Sequence, residues 1–203
     1  MMQSDKMKGS KRTAGKRKPL KASRRRGLRA AGIAGIIALV LFVPVFIMGA
    51  IGSLSESIPK SFAIPYLALS MAMLISSIIF IRGFIIIGEA VKNRFLVVMS
   101  WVALVMALFY TGYDALSIVF TSISHNAAGI LLLITAGIAA ILLGSAILQL
   151  KSKFRGLAKA AGMMEIISGA CSLAVVLAFI TVVLHIPLMI VEIMLLFRAA
   201  EEL

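Results

Sequence analysis

Long apolar segments without charge constrain the fold of this chain more than any other feature. The first, residues 30–51, contains no charged residue at all, and further segments of similar length follow it. A helix needs roughly 20 predominantly apolar residues to cross the hydrocarbon core of a bilayer. Hydrophobic residues make up 61% of the 203 residues and charged residues only 14%, against roughly 25% charged in soluble domains. The sequence therefore excludes a soluble globular domain and predicts an all-α, polytopic helical bundle integral to a membrane.

The predicted bundle occupies residues 30–203 and contains about six spans. In chain order they are residues 30–51, 62–88, 95–121, 127–149, 160–184 and 187–202. The last two come from one apolar stretch in which His185 and Pro187 mark the turn, because proline favours the first position of a helix. The sixth segment is short for a full crossing, at about 24 Å. Five spans followed by a re-entrant or interfacial C-terminus are the alternative.

A basic arm, residues 1–29, precedes the first span. It contains twelve lysine or arginine residues and one acidic residue, Asp5, whereas residues 30–203 are nearly neutral. The arm has no apolar periodicity, so the sequence predicts that it is disordered when unbound. Two dense clusters in the arm are the candidates for contact with anionic lipid or a protein partner. They consist of Lys16, Arg17, Lys18, Arg24, Arg25 and Arg26.

The distribution of basic residues also predicts the orientation of the bundle. The arm and the loops at 89–94 and 151–159 are basic, whereas the opposite side has only Lys60. Because basic loops stay in the cytoplasm, we expect a cell-membrane protein with a cytoplasmic N-terminus. A polybasic segment beside a span attracts anionic lipid by about 1 kcal/mol per basic residue. Nucleic acid or the ribosome has less support as a partner, since the arm has no aromatic residue to stack on bases.

Four ionisable residues lie inside the predicted spans, where a charge costs about 2.5–3.5 kcal/mol. Arg82 and Glu165 lie at similar depth near the cytoplasmic ends of the second and fifth spans. An ion pair between them would neutralise both charges and connect the two helices. The sequence therefore predicts a structural ion pair of Arg82 with Glu165.

The other two intramembrane charges, Asp114 and Glu192, have no basic residue at their depth. Together with His185 they form a candidate polar path that carries protons or binds a cation. The alternative is that Asp114 reaches the outer interface or hydrogen-bonds Tyr110 or Tyr113, while Glu192 is protonated or snorkels. One cavity shared by the two carboxylates would favour the polar path.

Small residues recur at every fourth position in three of the predicted helices. Such stripes permit close approach of helices, so we expect tight packing along them. The stripes are Ala68, Ala72 and Ser76; Ala136, Ala140 and Gly144; and Gly162, with Ala161, Glu165 and Gly169.

Signatures of enzymatic activity are scarce in this sequence. It has no phosphate-binding loop, no motif that predicts a cofactor, and a single cysteine, Cys171, which excludes a multi-cysteine metal site. The sequence favours a small accessory or complex-forming membrane subunit whose basic arm contacts anionic lipid or a cytoplasmic partner. Its complex would include another membrane protein or a second copy of the chain. A small transporter or channel that uses Asp114, Glu192 and His185 is the alternative.

Overall fold

The computed structural model describes residues 14–54, 60–119, 126–174 and 177–203, and this part of the chain is all-helical. Five of its six helices are long and apolar enough to cross a membrane. The predicted all-α membrane bundle is therefore confirmed. The helices are α1 Ala14–Leu54, α2 Lys60–Val91, α3 Arg94–Val119, α4 Asn126–Leu148, α5 Lys151–Leu173 and α6 Ala178–Glu202.

The helices form a closed ring in which each packs against the next and α6 returns to α1. Neighbouring helices run antiparallel. In the α1–α2 pair, for example, Gly27 faces Ile86 and Gly49 faces Tyr66. This arrangement brings the first part of α1, the end of α6 and the turns α2–α3 and α4–α5 to one end of the ring. We call this end, formed by residues 24–29, 89–94, 149–155 and 198–203, the basic end.

The best-packed part of the bundle is the half next to the basic end. Helices α1, α2 and α6 meet closely there, because Gly35 lies against Phe80 and Ile193 without an intervening side chain. All of the largest fully buried side chains belong to this half. They are Phe84, Leu28, Ile87, Leu96, Ile147, Leu195, Leu196 and Ser100.

Helices α4 and α5 touch backbone to backbone at two pairs of glycines. A Cβ atom on Gly144 would lie 2.7 Å from the carbonyl oxygen of Gly162, and the reverse distance is also 2.7 Å. Two turns away, Gly137 and Gly169 make the equivalent reciprocal contact at 2.8 and 2.6 Å. The close approach predicted for Gly144, Gly162 and Gly169 is therefore confirmed. The first predicted stripe behaves differently, because its two alanines on α2 are exposed.

The start of the bundle differs from the prediction. Helix α1 begins at Ala14 and continues through the basic clusters, so residues 14–29 are helical rather than disordered. Leu28 is fully buried in the core, which places the last turn of the predicted arm inside the bundle. Lysine, arginine and alanine are good helix formers, and extending an existing helix needs no new nucleus. Residues 1–13 lie outside the described chain.

The turn between the last two helices was also misplaced by the sequence prediction. Helix α5 ends at Leu173 and α6 begins at Ala178, so His185 and Pro187 lie inside α6. A membrane helix tolerates proline when neighbouring groups satisfy the freed carbonyl, so Pro187 does not mark a turn. With 25 residues, α6 is long enough for a full crossing.

The basic segment 151–159, predicted as a loop, forms the first turns of α5. The helix begins at Lys151 and is interrupted at Arg155, where φ is 42° and ψ is −116°. Phe154 and Ala158, on either side of this break, are both buried. The break therefore lets the chain bury apolar side chains before and after it, while Arg155 itself remains exposed.

Replacing Gly144 by alanine tests the contact between α4 and α5. The new methyl group would meet the backbone of α5, so we expect the free energy of unfolding to fall by about 1–3 kcal/mol. Gly112→Ala is the matched control, because open space surrounds its Cβ position and alanine favours a helix. Thermal unfolding of both variants in mild detergent measures the difference. Equal stability of the two variants would contradict the proposed role of this contact.

Candidate functional site

A mostly apolar cavity of about 380 Å³, with a few polar groups in its lining, lies between α1, α2 and α3, towards the end of the bundle opposite the basic end. We call it the Asp114 cavity. Asp114 is 20 residues into α3, about 30 Å from the basic end of that helix. The cavity combines aromatic rings with hydroxyl groups and one carboxyl group. Its lining includes Phe42, Phe46, Tyr66, Ser70, Met73, Tyr110, Thr111 and Asp114.

The carboxyl group of Asp114 is held by a tyrosine from the neighbouring helix. The hydroxyl group of Tyr66, only 2% exposed, donates a hydrogen bond to Oδ2 of Asp114. The backbone carbonyl of Asp114 accepts a second bond, at 2.8 Å, from the hydroxyl of Ser117. The sequence predicted a hydrogen bond from Tyr110 or Tyr113, and Tyr110 does lie close to the carboxylate. Tyr66 was missed because it precedes Asp114 by 48 residues, and only the α2–α3 contact brings the two together.

Ser70 is the most unusual polar residue of the cavity. It lies one turn beyond Tyr66 on α2 and is 3% exposed. Its hydroxyl is near that of Tyr66, but its oxygen has no partner at ordinary hydrogen-bond distance among the described residues. Buried serines elsewhere, such as Ser76 and Ser100, donate to the carbonyl four residues earlier. A buried hydroxyl without a partner costs about 1–3 kcal/mol, so Ser70 leaves unused hydrogen-bonding capacity in the cavity.

The three residues of the predicted polar path are only partly brought together. His185 packs against Phe42 with ring centroids 4.5 Å apart and the ring planes tilted by 42°, and Phe42 forms a wall of the Asp114 cavity. Glu192 lies seven residues further along α6, about 10 Å nearer the basic end, and is not part of the cavity lining. His185 therefore lies behind the cavity, and the two carboxyl groups do not share it.

Glu192 instead lies close to Glu165, on the neighbouring helix α5. Glu192 is 6% exposed, and the two carboxyl groups are close enough to interact electrostatically. No basic side chain of the described residues forms an ion pair with either of them. Like charges repel more strongly in the low-dielectric interior than in water. The structure therefore forms a second acidic site, separate from the Asp114 cavity.

The predicted ion pair of Arg82 with Glu165 is wrong. Arg82 is exposed on the outer face of α2, and α2 and α5 share no packed interface in the ring. The ion pairs among the described residues are those of Arg198 with Glu201 and Glu202. Depth along two helices can be read from a sequence, but the direction in which each residue faces depends on how the helices pack.

The basic end carries two grooves lined by charged side chains. The larger, about 780 Å³, lies between the α2–α3 and α4–α5 turns and includes Lys92, Arg94 and Lys153. The smaller, about 410 Å³, includes Lys153, Arg155 and Arg198. The amide oxygen of Asn93 accepts a hydrogen bond from the backbone N–H of Leu96 at 3.1 Å. This bond caps α3 and orders the turn that carries Lys92 and Arg94.

The candidate basic residues of the arm belong to the same end of the molecule. Arg24, Arg25 and Arg26 are exposed on α1. The guanidinium group of Arg25 donates to the backbone carbonyl of Glu201 at 3.4 Å, which joins α1 to the last turn of α6. The first cluster, residues 16–18, lies in the helical part of α1, but its side chains are outside the described ones.

No protein-family model, curated protein or solved structure matches the chain. Within the four described segments, no group of three or more histidine, cysteine or acidic side chains could hold a metal ion. Three features are therefore the functional candidates. They are the Asp114 cavity, the two buried carboxyl groups of Glu165 and Glu192, which we call the acidic pair, and the basic end.

The bond between Tyr66 and Asp114 can be measured with a double-mutant cycle. We expect Tyr66→Phe to lower the free energy of unfolding by about 1.5–3 kcal/mol, because the carboxyl group loses its donor. In an Asp114→Asn background the same substitution should cost less, with a coupling energy of about 1 kcal/mol or more. Tyr110→Phe, which removes a nearby hydroxyl without breaking this bond, is the control. Additive effects in the cycle would contradict the assigned bond.

The acidic pair leads to a different expectation for Glu192. Because Glu192→Gln removes a buried carboxyl group that has no basic partner among the described residues, the free energy of unfolding should stay unchanged or rise by about 1 kcal/mol. Glu165→Gln should then change the free energy of unfolding by less in the Glu192→Gln background than in the natural chain. Thermal unfolding measures both effects, with the exposed Glu201→Gln as the control. A loss of more than about 1 kcal/mol in Glu192→Gln would instead indicate an attractive partner for the carboxylate.

Proposed function

We propose that this protein is a small accessory or complex-forming subunit of the cell membrane. Its basic end contacts anionic lipid headgroups, and the basic part of α1 contacts a cytoplasmic partner. The observation that carries the proposal is the concentration of exposed cationic side chains on one end of the bundle. They come from α1, both turns at that end, the start of α5 and the end of α6.

The electrostatics of the basic end support contact with anionic headgroups. Each lysine or arginine near an anionic surface contributes about 1 kcal/mol of attraction, and several segments contribute at once here. The groove with Lys92, Arg94 and Lys153 is large enough for a headgroup, at about 780 Å³. The same charge distribution supports a cytoplasmic location of this end.

The helical state of α1 supports recognition of a partner by the arm. Residues 14–29 form about 24 Å of helix before the uncharged part of the first span. A helix presents its basic side chains in a fixed arrangement, so less conformational entropy is lost on binding than with a disordered segment. Arg24, Arg25 and Arg26 follow one another and are all exposed, so they point in several directions around the helix.

An apolar cleft supports assembly with another membrane helix. The cleft lies between α3 and α4, has a volume of about 500 Å³, and is lined by residues such as Val105, Phe109 and Leu132. Gly112 is part of this lining, and nothing lies within 4 Å of its Cβ position. A glycine with open space on a membrane helix permits close approach of another helix. Helix α3 also has the smallest buried share of the five apolar helices.

The proposal is tested by purifying the full chain in mild detergent and identifying co-purifying proteins and lipids by mass spectrometry. The variant replaces Arg24, Arg25 and Arg26 with glutamine, and the control replaces them with lysine, which keeps the charge. A deletion of residues 1–29 is unsuitable, because it removes the buried Leu28. We expect a stoichiometric protein partner and enriched anionic lipid with the natural chain and the lysine variant, and a loss of the partner with glutamine. Recovery of the chain with neither ligand would contradict the proposal.

A further inference from the structure

We infer that the Asp114 cavity binds an ammonium group that carries N–H donors. Such a group belongs to the headgroup of an aminophospholipid or to a small free amine. This inference concerns the end of the bundle opposite the basic end, and it does not depend on the proposed function above.

The charge of the cavity favours a cation. Asp114 is the acidic residue among the described lining residues, none of which is a lysine, arginine or histidine. A carboxylate offers about four acceptor positions, and the Tyr66 hydroxyl uses one of them on Oδ2. A bound ammonium group would therefore find free acceptor positions on Asp114 and would neutralise a charge that has no cationic partner among the described residues.

The hydroxyl of Ser70 is an independent indication of a ligand. It is buried, lines the same cavity and lacks a hydrogen bond within the described chain. A ligand with N–H donors would supply the missing bond to its oxygen. This requirement favours a primary ammonium group over a quaternary one, since trimethylated nitrogen has no N–H to donate.

The aromatic residues of the cavity suit the same ligand. Phe42 and Phe46 stack with ring centroids 5.9 Å apart and line the cavity on the α1 side, opposite Tyr66 and Tyr110. Cations are attracted to aromatic faces within about 6 Å of the ring centroid. The volume of about 380 Å³ also lies within the range of about 300–1,000 Å³ found for small-molecule sites.

The depth of the cavity supports a lipid headgroup as one source of the ammonium group. Tyr66 lies six residues after the start of α2 and Asp114 five residues before the end of α3, so both are about 8–9 Å from the helix ends. Tyr110 is 56% exposed and stands where the cavity meets the outer face of α3. A headgroup can therefore reach the cavity from the side of the bilayer.

The inference is tested by native mass spectrometry of the full chain titrated with phosphatidylethanolamine, with phosphatidylcholine as the comparison lipid. We expect the natural chain to retain one phosphatidylethanolamine molecule tightly. The Asp114→Asn variant should bind this lipid at least about tenfold more weakly, because a charged hydrogen bond is lost. Ser70→Ala, which removes only the hydroxyl group, should weaken binding severalfold. Glu192→Gln is the matched control and should bind normally, since its carboxyl group lies outside the cavity.

A second titration distinguishes the two sources of the ammonium group. Ethanolamine is added to the delipidated chain, and binding is followed in the natural protein, Asp114→Asn and Ser70→Ala. Binding of ethanolamine that depends on Asp114 assigns the site to free amines, and binding of the lipid alone assigns it to the headgroup. The inference would be overturned by equal retention of phosphatidylcholine and phosphatidylethanolamine. It would also be overturned if the Asp114→Asn and Ser70→Ala variants bound both probes as the natural chain does.

Discussion

Direct contact between helix backbones at glycine is the interaction on which this bundle depends. Lipid tails are as apolar as leucine, so the hydrophobic effect does little to hold membrane helices together. Packing must supply that attraction instead, and it is strongest where no side chain separates two helices. The reciprocal contacts of Gly144 with Gly162 and of Gly137 with Gly169 join α4 to α5. Gly35 acts differently between α1, α2 and α6, because its missing side chain leaves room for the side chains of Phe80 and Ile193.

Packing is tighter in one half of the bundle than in the other, and this difference determines where the candidate functional sites lie. The half next to the basic end contains the core cluster of large buried side chains. The opposite half leaves a cavity between α1, α2 and α3. A tightly packed half can fix the ring and the exposed cations at its end. The more open half can hold polar groups, such as Ser70 and Asp114, whose hydrogen-bonding capacity is not filled by the described residues.

The ring also explains why the intramembrane charges fall into two sites. Asp114 on α3 faces α2, where the hydroxyl of Tyr66 meets it, whereas Glu192 on α6 faces α5 and Glu165. The two sites are separated by position in the ring and by depth. Each therefore has its own chemistry, a carboxylate held by a tyrosine in one case and two neighbouring carboxyl groups in the other.

Composition and periodicity alone determined that this chain forms membrane-spanning helices, because runs of apolar residues have few other solutions in a bilayer. They also identified the basic clusters, the intramembrane charges and the small residues that permit close packing. Tertiary structure decided what each of these residues meets. Tyr66 and Asp114 are 48 residues apart, and their contact depends on which faces of α2 and α3 pack together. The Arg82–Glu165 pair failed for the same reason, since matched depth does not place two helices side by side. The turn between α5 and α6 was misplaced because the sequence alone does not distinguish a proline inside a packed helix from a proline at the start of a helix. The packing of the neighbouring helices decides between the two.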